Sequence, residues 1–394
     1  MPAASRFTIR VAAFCLYLVF AGAALWLSIY RPFHNWDVVG YVAAAKSFEQ
    51  SDNAALQTFT YAELRSVLPA ELYEDIAREK NLGGGRGALY RRTVSTNSAA
   101  FAEQLPYYQI RPLYVGLIYL FYKAGVDIEF ATHLISGIGV ALALLVLYLT
   151  AIPRLPIVLA CLLPPLAWMF GGFDLARLST PDGLAFFAVM LIAYWFAQRR
   201  IGWLCVTLPI ALCVRTDLIL FTAPLLLALF ATEPKHRRWI ALSGATSVLV
   251  YMGILTHYHH PGWATLFYFN VIERWIYPLS NPPTLTLHDY FTALADGTLA
   301  LLGDKIFLAY LALIALAACW LRKRSLTSTP SILLLAAAAH IVGRFLALPF
   351  MWERFFPAPY TISALALFWL IGEARAGAIQ SRTSGDTFSA AESS

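Results

Sequence analysis

Val11-Ala-Ala-Phe-Cys-Leu-Tyr-Leu-Val-Phe-Ala-Gly-Ala-Ala-Leu-Trp-Leu-Ser-Ile-Tyr30 is an uncharged run, and Arg31-Pro-Phe-His-Asn-Trp-Asp37-Val-Val-Gly-Tyr41 follows it directly. A helix of roughly 20 residues crosses a hydrocarbon layer of about 30 Å. The run is too long for an ordinary signal-peptide core and is preceded by Arg6 and Arg10, so it is expected to be an uncleaved first span with residues 1–10 in the cytoplasm. It delivers one carboxylate, Asp37, to the membrane edge, where an Asp is cheap and can meet both a lipid-borne and an aqueous molecule. Val38 to Glu49 reads as a short helix with Val38, Tyr41, Val42, Ala45 and Phe48 along one side. Asp37 then falls where an N-cap would, so this stretch alone fits a helix cap as well as a catalytic group.

Outward from this stretch the chain keeps the same character. Its 394 residues are 59% hydrophobic and 13% charged, with a mean hydropathy of +0.62, which excludes a water-soluble domain of this size. The formal charge of +6 does not point to nucleic acid, because Lys and Arg fall in small clusters between apolar runs. The five cysteines lie within apolar runs and form no Cys-x-x-Cys pair, as expected of small packing residues. Ten apolar runs near span length follow: Val11 to Tyr30, Ala131 to Ile152, Pro156 to Phe170, Gly183 to Ala197, Ile201 to Val214, Leu218 to Phe230, Trp239 to Thr256, Ile306 to Trp320, Ile332 to Phe350 and Ala358 to Ile371. With the N-terminus inside, every basic cluster (Arg154, Arg199 and Arg200, Lys235 to Arg238, Arg322 to Arg324, Arg375) lands in the cytoplasm.

The expected fold is therefore an all-α polytopic membrane protein, a bundle of about ten transmembrane helices over residues 11–372. Residues 31–130 form a large outer first loop with interfacial helices, such as Ala62 to Leu68 and Glu71 to Lys80, and a flexible Gly83 to Gly87. Pro112 to Lys123 would reach only about 18 Å as a helix, so it is placed flat in the outer interface. Ile201 to Phe230 is read as a hairpin turning at Arg215-Thr216-Asp217, with Arg215 and Asp217 close enough to pair. Residues 257–305 form a further outer loop, and residues 373–394 a disordered cytoplasmic tail. There is no internal repeat.

The ionisable residues expected to carry chemistry collect at the outer ends of these runs. Asp174, Arg177 and Asp182 could bind a sugar or a phosphate, although Ser179 or Thr180, Pro181 and Asp182 also spell an ordinary helix start. Arg344 lies inside an apolar run, where an unpaired guanidinium is expensive; Asp217, Glu353 or a lipid phosphate could satisfy it. Glu353 and Arg354 could bind a ligand or pair with each other. His34, Arg215 and Asp217 join the substrate-binding candidates. His257, His259 and His260 match no standard zinc spacing, so no metal ligand is assigned and no cofactor is expected, a divalent ion remaining the one option. Trp263, Phe267, Tyr268, Trp275 and Tyr277 read as an interfacial aromatic belt. No Walker A, Gly-x-Ser-x-Gly or dinucleotide fingerprint is present, so a nucleotide is not the expected donor.

In this order, on one face, these features resemble the GT-C superfamily of membrane glycosyltransferases, across about residues 10 to 372. Asn35-Trp-Asp37-Val-Val-Gly-Tyr41 is similar to the acidic catalytic stretch after the first span of protein O-mannosyltransferases and aminoarabinose transferases, and to the Trp-Asp-x-x-x-Tyr pattern of GPI mannosyltransferases. Arg111-Pro-Leu-Tyr114 resembles their Pro-Leu stretch, and Arg177 to Asp182 their second-loop Arg-to-Asp stretch. Asp37 is followed by Val38 where those families often carry an acidic pair. The resemblance implies inverting transfer of a sugar from a polyprenyl-phosphate donor to a lipid, glycan or protein acceptor, with Asp37 as general base. Arg344 or Arg354, with Arg177, would hold the leaving phosphate. It implies an active site on the outer face. Compact loops without Asn-x-Ser/Thr in the outer segments fit a bacterial inner membrane, whose outer face is periplasmic, and the basic clusters put both termini in the cytoplasm. A transporter or lipid-linked-sugar flippase is the rival reading, and a non-catalytic assembly subunit a third.

Overall fold

The computed structural model describes residues 3–78, 86–321, 326–350 and 353–391. Those residues are helical, with no strand among them and a single β-bridge, between Phe33 and Leu178. Helix α1 (Ala3–Tyr30) contains the first apolar run, and α2 (Asp37–Lys46) starts at the aspartate. Short helices occupy Asn53–Val67, Ala70–Arg78, Arg86–Thr96, Ser98–Ala102 and Pro106–Gln109, before α3 (Pro112–Lys123) and α4 (Ile128–Ala151). Then come α5 (Ile157–Ala167), α6 (Asp182–Ala197), α7 (Ile201–Val214), α8 (Ile219–Thr232) and α9 (Arg237–His257). The chain ends in α10 (Leu287–Leu302), α11 (Lys305–Leu321), α12 (Thr329–Ala347) and α13 (Pro357–Ala391).

Five helical segments among the described residues are long and apolar enough to cross a membrane: Phe7–Tyr30, α4, Ile157–Arg177, Pro234–His257 and α12. Counting the bent pair α10 and α11 as one span makes six. This fits a chain embedded in a lipid bilayer. The expected count of ten is not confirmed, because α6, α7 and the Thr216–Thr232 stretch are shorter apolar helices; a 14-residue helix reaches only about 21 Å. Pro156 to Phe170 also continues further than expected. A π-type turn at Trp168–Gly172, with Gly171 at φ 101°, and a short helix Phe173–Arg177 carry it on, so residues 171–182, expected as an outer loop between the third and fourth runs, are largely a kinked helix end.

Two cores organise these helices. The larger joins α1, α4 to α8, α12 and α13 through Leu, Ala and Phe side chains. The smaller forms under α2, where Val38, Tyr41, Val42 and Ala45 are buried with Tyr108, Tyr114 and Ile118. The predicted apolar side of α2 is thus buried except at Phe48, which lies past the helix end and is 51% exposed. The two helix-like pieces predicted near 62–80 fall in Asn53–Val67 and Ala70–Arg78; Lys80 and Gly83 to Gly85 lie outside the described residues.

The ends of the helices sort the charges. At one end Arg154 donates to the Ala197 carbonyl at 2.8 Å, Arg199 pairs with Glu233 at 2.5 Å, and Gly372 stands against Pro156. At the other end lie Asp37, the Arg215 to Asp217 turn and the C-terminus of α12. Helix α13 runs on to Ala391, through the stretch expected to be a disordered tail.

Candidate functional site

Asp37 enters the site because α2 is pinned by its own motif. Gly40 lets the Tyr108 ring lie against the helix backbone: a Cβ at Gly40 would stand 2.3 Å from that ring. Tyr41 packs edge-on between Tyr108 and Tyr114 at 5.1 and 4.9 Å. Asp37 is not the N-cap; Trp36 holds that position, without a side-chain cap bond. The freed carboxylate accepts from Asn35 Nδ2 at 3.0 Å, from the Tyr108 hydroxyl at 3.5 Å and from the Arg354 guanidinium.

From Arg354 a chain of alternating charges runs into the helix bundle. Its Nε is 3.9 Å from Oδ2 of Asp182. Asp182 also accepts from Thr180 Oγ1 at 2.6 Å and is gripped by Arg215. Arg215 in turn holds Asp217 in a two-point bond of 2.9 and 2.5 Å, and Arg344 Nε stands 3.6 Å from Asp217. The Phe355 ring lies against all three guanidiniums, with centroid distances of 4.7 Å to Arg215, 4.1 Å to Arg344 and 5.0 Å to Arg354. Asp182, Arg215 and Arg344 are only 3%, 7% and 5% exposed. Charges this desolvated persist only when paired, which is what the alternation supplies.

The three carboxylates and three guanidiniums cancel, and the surplus lies at the Asp37 end. Arg111 and Arg274 both act electrostatically on Asp37, and among the described residues neither is paired with a carboxylate. Arg111 donates to the Tyr107 carbonyl and faces the Tyr41 ring; Arg274 lies over Phe269. Burial alone would raise the pKa of Asp37, but Arg354, with Arg111 and Arg274 further out, holds the carboxyl below its ordinary range. It is ionised at neutral pH. A narrow pocket beside this chain is lined by Asp182, Arg215, Asp217, His340, Arg354 and Phe355, among others. Asp37 does not line it and reaches it only through Arg354.

Six of the ten residues singled out in the sequence therefore meet: Asp37, Asp182, Arg215, Asp217, Arg344 and Arg354. The predicted Arg215–Asp217 pair forms, and Arg344 finds Asp217. A helix does start at Asp182, but with Pro181 rather than Ser179 or Thr180 as its N-cap, and the Asp182 carboxylate serves two arginines. Asp174 and Arg177 stay apart from the group. They make a loose 3.9 Å pair at the surface, with Arg177 donating to the Arg31 carbonyl at 2.7 Å. His34 is also elsewhere: its Nδ1 is 3.0 Å from Oε1 of buried Glu129, which His133 Nε2 approaches at 3.4 Å. The Glu353 side chain lies outside those described.

Sequence reading missed Phe355, Tyr108, Arg111, Arg274 and His340. His340 was findable, since it precedes Arg344 by one helical turn on the same apolar helix. Among the described residues, no group of three or more His, Cys, Asp or Glu is arranged to hold a metal ion. No family model, curated protein or solved structure matches this chain.

Proposed function

We propose that this chain is a GT-C-like glycosyltransferase that moves a sugar from a polyprenyl-phosphate donor to a lipid, glycan or protein acceptor, with Asp37 as general base. The observation that carries the reading is the Asp37–Arg354 ion pair just past the end of the first apolar helix. It sets a carboxylate ionised at neutral pH beside a guanidinium, with Arg111 and Arg274 adding positive charge there. A phosphate ligand suits that surplus, and guanidinium is the side chain best shaped to grip it.

The proposed step is a single displacement. The acceptor hydroxyl oxygen attacks the anomeric carbon while its proton passes to Asp37, and the bond from that carbon to the phosphate oxygen breaks. The bonding pair leaves with the polyprenyl phosphate, whose charge Arg354 and its neighbours offset. Inversion at the anomeric carbon follows. A carboxylate tied to a guanidinium is a weak base, so the donor phosphate has a second effect. By competing for Arg354 it loosens that group from Asp37 and restores basicity when the sugar is in place.

The test is sugar transfer in membranes holding wild-type protein or Asp37→Asn at matched levels, supplied with a panel of polyprenyl-phosphate sugars. Release of polyprenyl phosphate is followed alongside uptake into vesicles. Transfer by the wild type that falls at least 100-fold in Asp37→Asn, in protein that elutes normally, is the expected result. Equal transfer by the two removes Asp37 as the base. Vesicle uptake or lipid scrambling without transfer from any donor favours the rival flippase or transporter reading.

A further inference from the structure

Helix α10 was expected to be part of an irregular outer loop, and it is a sixteen-residue helix opened by a capping box of Thr286 and Asp289. At 3.6 residues per turn its side chains fall into three stripes. Ala293, Gly297 and the ring of Tyr290 face the protein. A Cβ at Gly297 would stand 2.1 Å from the Pro349 carbonyl, so the helix packs there at backbone distance. Next around the axis come Leu287, Phe291, Leu302 and Leu299, which are 77%, 60%, 58% and 70% exposed, with exposed Thr298 among them. His288, Thr292 and Asp296, all exposed, begin where Leu299 lies and run round to the far side.

A helix in water needs only two such faces. Three, one on protein, one apolar and open, one polar and open, describe a helix lying along a boundary between water and an apolar phase. Its neighbour says which phase. Helix α10 meets α11 at 79° across a break of a few residues, and α11 shows open apolar side chains of its own at Leu308, Leu311 and Leu316. If α11 runs across the bilayer, α10 lies nearly in its plane, and the apolar stripe continues the lipid-facing surface of α11.

We infer that α10 lies in the lipid surface, with Leu287, Phe291 and Leu302 among the acyl chains of the leaflet on the Asp37 side and Asp296 in water. This placement is independent of the reaction proposed above. It gives the helix a mechanical role. Tyr290 donates its hydroxyl proton to the Leu346 carbonyl at 3.0 Å, and Trp263 Nε1, beside it, donates to the Ala347 carbonyl at 2.8 Å. Those carbonyls belong to the segment leading from Arg344 toward Arg354, so α10 fastens the arginine end of the charge chain to the bilayer surface.

The test places a nitroxide at residue 291, 287 or 296, in protein whose five native cysteines are replaced by Ala, reconstituted in phosphatidylcholine vesicles. Collision with lipid-dissolved oxygen and with an aqueous nickel chelate is measured at each position, with residue 311 of α11 as the lipid reference. Positions 287 and 291 should match 311, with an oxygen-to-nickel collision ratio several-fold above that at 296. Nickel accessibility at 291 equal to that at 296 overturns the inference, because the stripe then faces water. Shielding of 287 and 291 from both reagents overturns it as well, since a protein surface then covers them.

Discussion

Asp37 and Arg354 lie 317 residues apart in sequence and meet as an ion pair in which each is largely desolvated, with side-chain exposures of 21% and 17%. Removing either partner strips the other of its nearest opposite charge, at a cost of about 3–5 kcal/mol when burial is complete and less here. Arg354 also has Asp182 at 3.9 Å, and Asp37 has Arg111 and Arg274 further out. Asp37→Asn and Arg354→Gln should each lower the unfolding temperature in detergent. The double variant should be more stable than the sum of the two losses predicts, with a coupling above about 1 kcal/mol. Additive losses would mean that the two side chains do not act as a pair.

His260 makes the fold acid-sensitive. It sits in the loop after α9, and burial, with a smaller push from Arg111, lowers its pKa from 6.5 to about 4. Its Nδ1 accepts from the Gly262 amide at 3.1 Å, which only the neutral ring can do. The unfolded chain takes up the proton near 6.5 and the folded one near 4, so below 6.5 the unfolded state binds more protons. The stability that His260 contributes is complete above about pH 6.5 and declines as pH falls toward 4. Unfolding temperatures between pH 7 and 5 should drop less in His260→Asn, whose side-chain oxygen can still accept from Gly262. An unchanged slope would assign the acid sensitivity to other groups.

Part of this site was legible because it depends on local cost. An arginine inside an apolar run such as Arg344, or an Arg and Asp two residues apart at a hairpin turn, must be satisfied somewhere, and the sequence says so. What it does not say is which partner wins. Arg354 beside Glu353 could equally be a ligand-binding group or half of a surface pair, and only the packing of α2 against Tyr108 brings Asp37 to it. Asp174 and Arg177 carry the same residue types as Asp182 and Arg215 but sit at the open end of a kinked helix, where they pair loosely with each other and Arg177 donates to the Arg31 carbonyl. Helix α10 was hidden for another reason. Its buried stripe is Ala and Gly, its apolar stripe faces outward, and its flanks are rich in Pro and Thr, so the pattern reads as a loop until the packing on Pro349 is known.

Close backbone approach beside Asp182 sets a second kind of limit. A Cβ at Gly183 would stand 2.1 Å from the Ser136 carbonyl, and one at Gly139 would stand 2.5 Å from the Gly183 backbone, so α4 and α6 touch through small residues. Gly183→Ala cannot be accommodated by a rotamer change and forces the helices apart, costing about 1–3 kcal/mol or more. Gly253→Ala, in α9 with open space around its Cα, should be neutral or gain up to about 1 kcal/mol from helix propensity. Unfolding temperatures in detergent should separate the two clearly. Equal behaviour would contradict the α4–α6 contact.

Phe355 backs all three guanidiniums whose charge Asp37, Asp182 and Asp217 balance. Its ring faces Arg215, Arg344 and Arg354 at centroid distances of 4.1 to 5.0 Å, and each such contact is worth about 0.5–2 kcal/mol depending on desolvation. Leucine at this position keeps most of the apolar volume and loses the ring face. Phe355→Leu should therefore destabilise the protein by about 1–3 kcal/mol, and Phe355→Tyr much less. The reading in which the arginines hold the donor phosphate adds a second expectation. Phe355→Leu should raise the KM for the polyprenyl-phosphate donor more than it lowers kcat, because the guanidiniums lose their common backing before the base is disturbed. A fall confined to kcat would place Phe355 with Asp37 rather than with the phosphate.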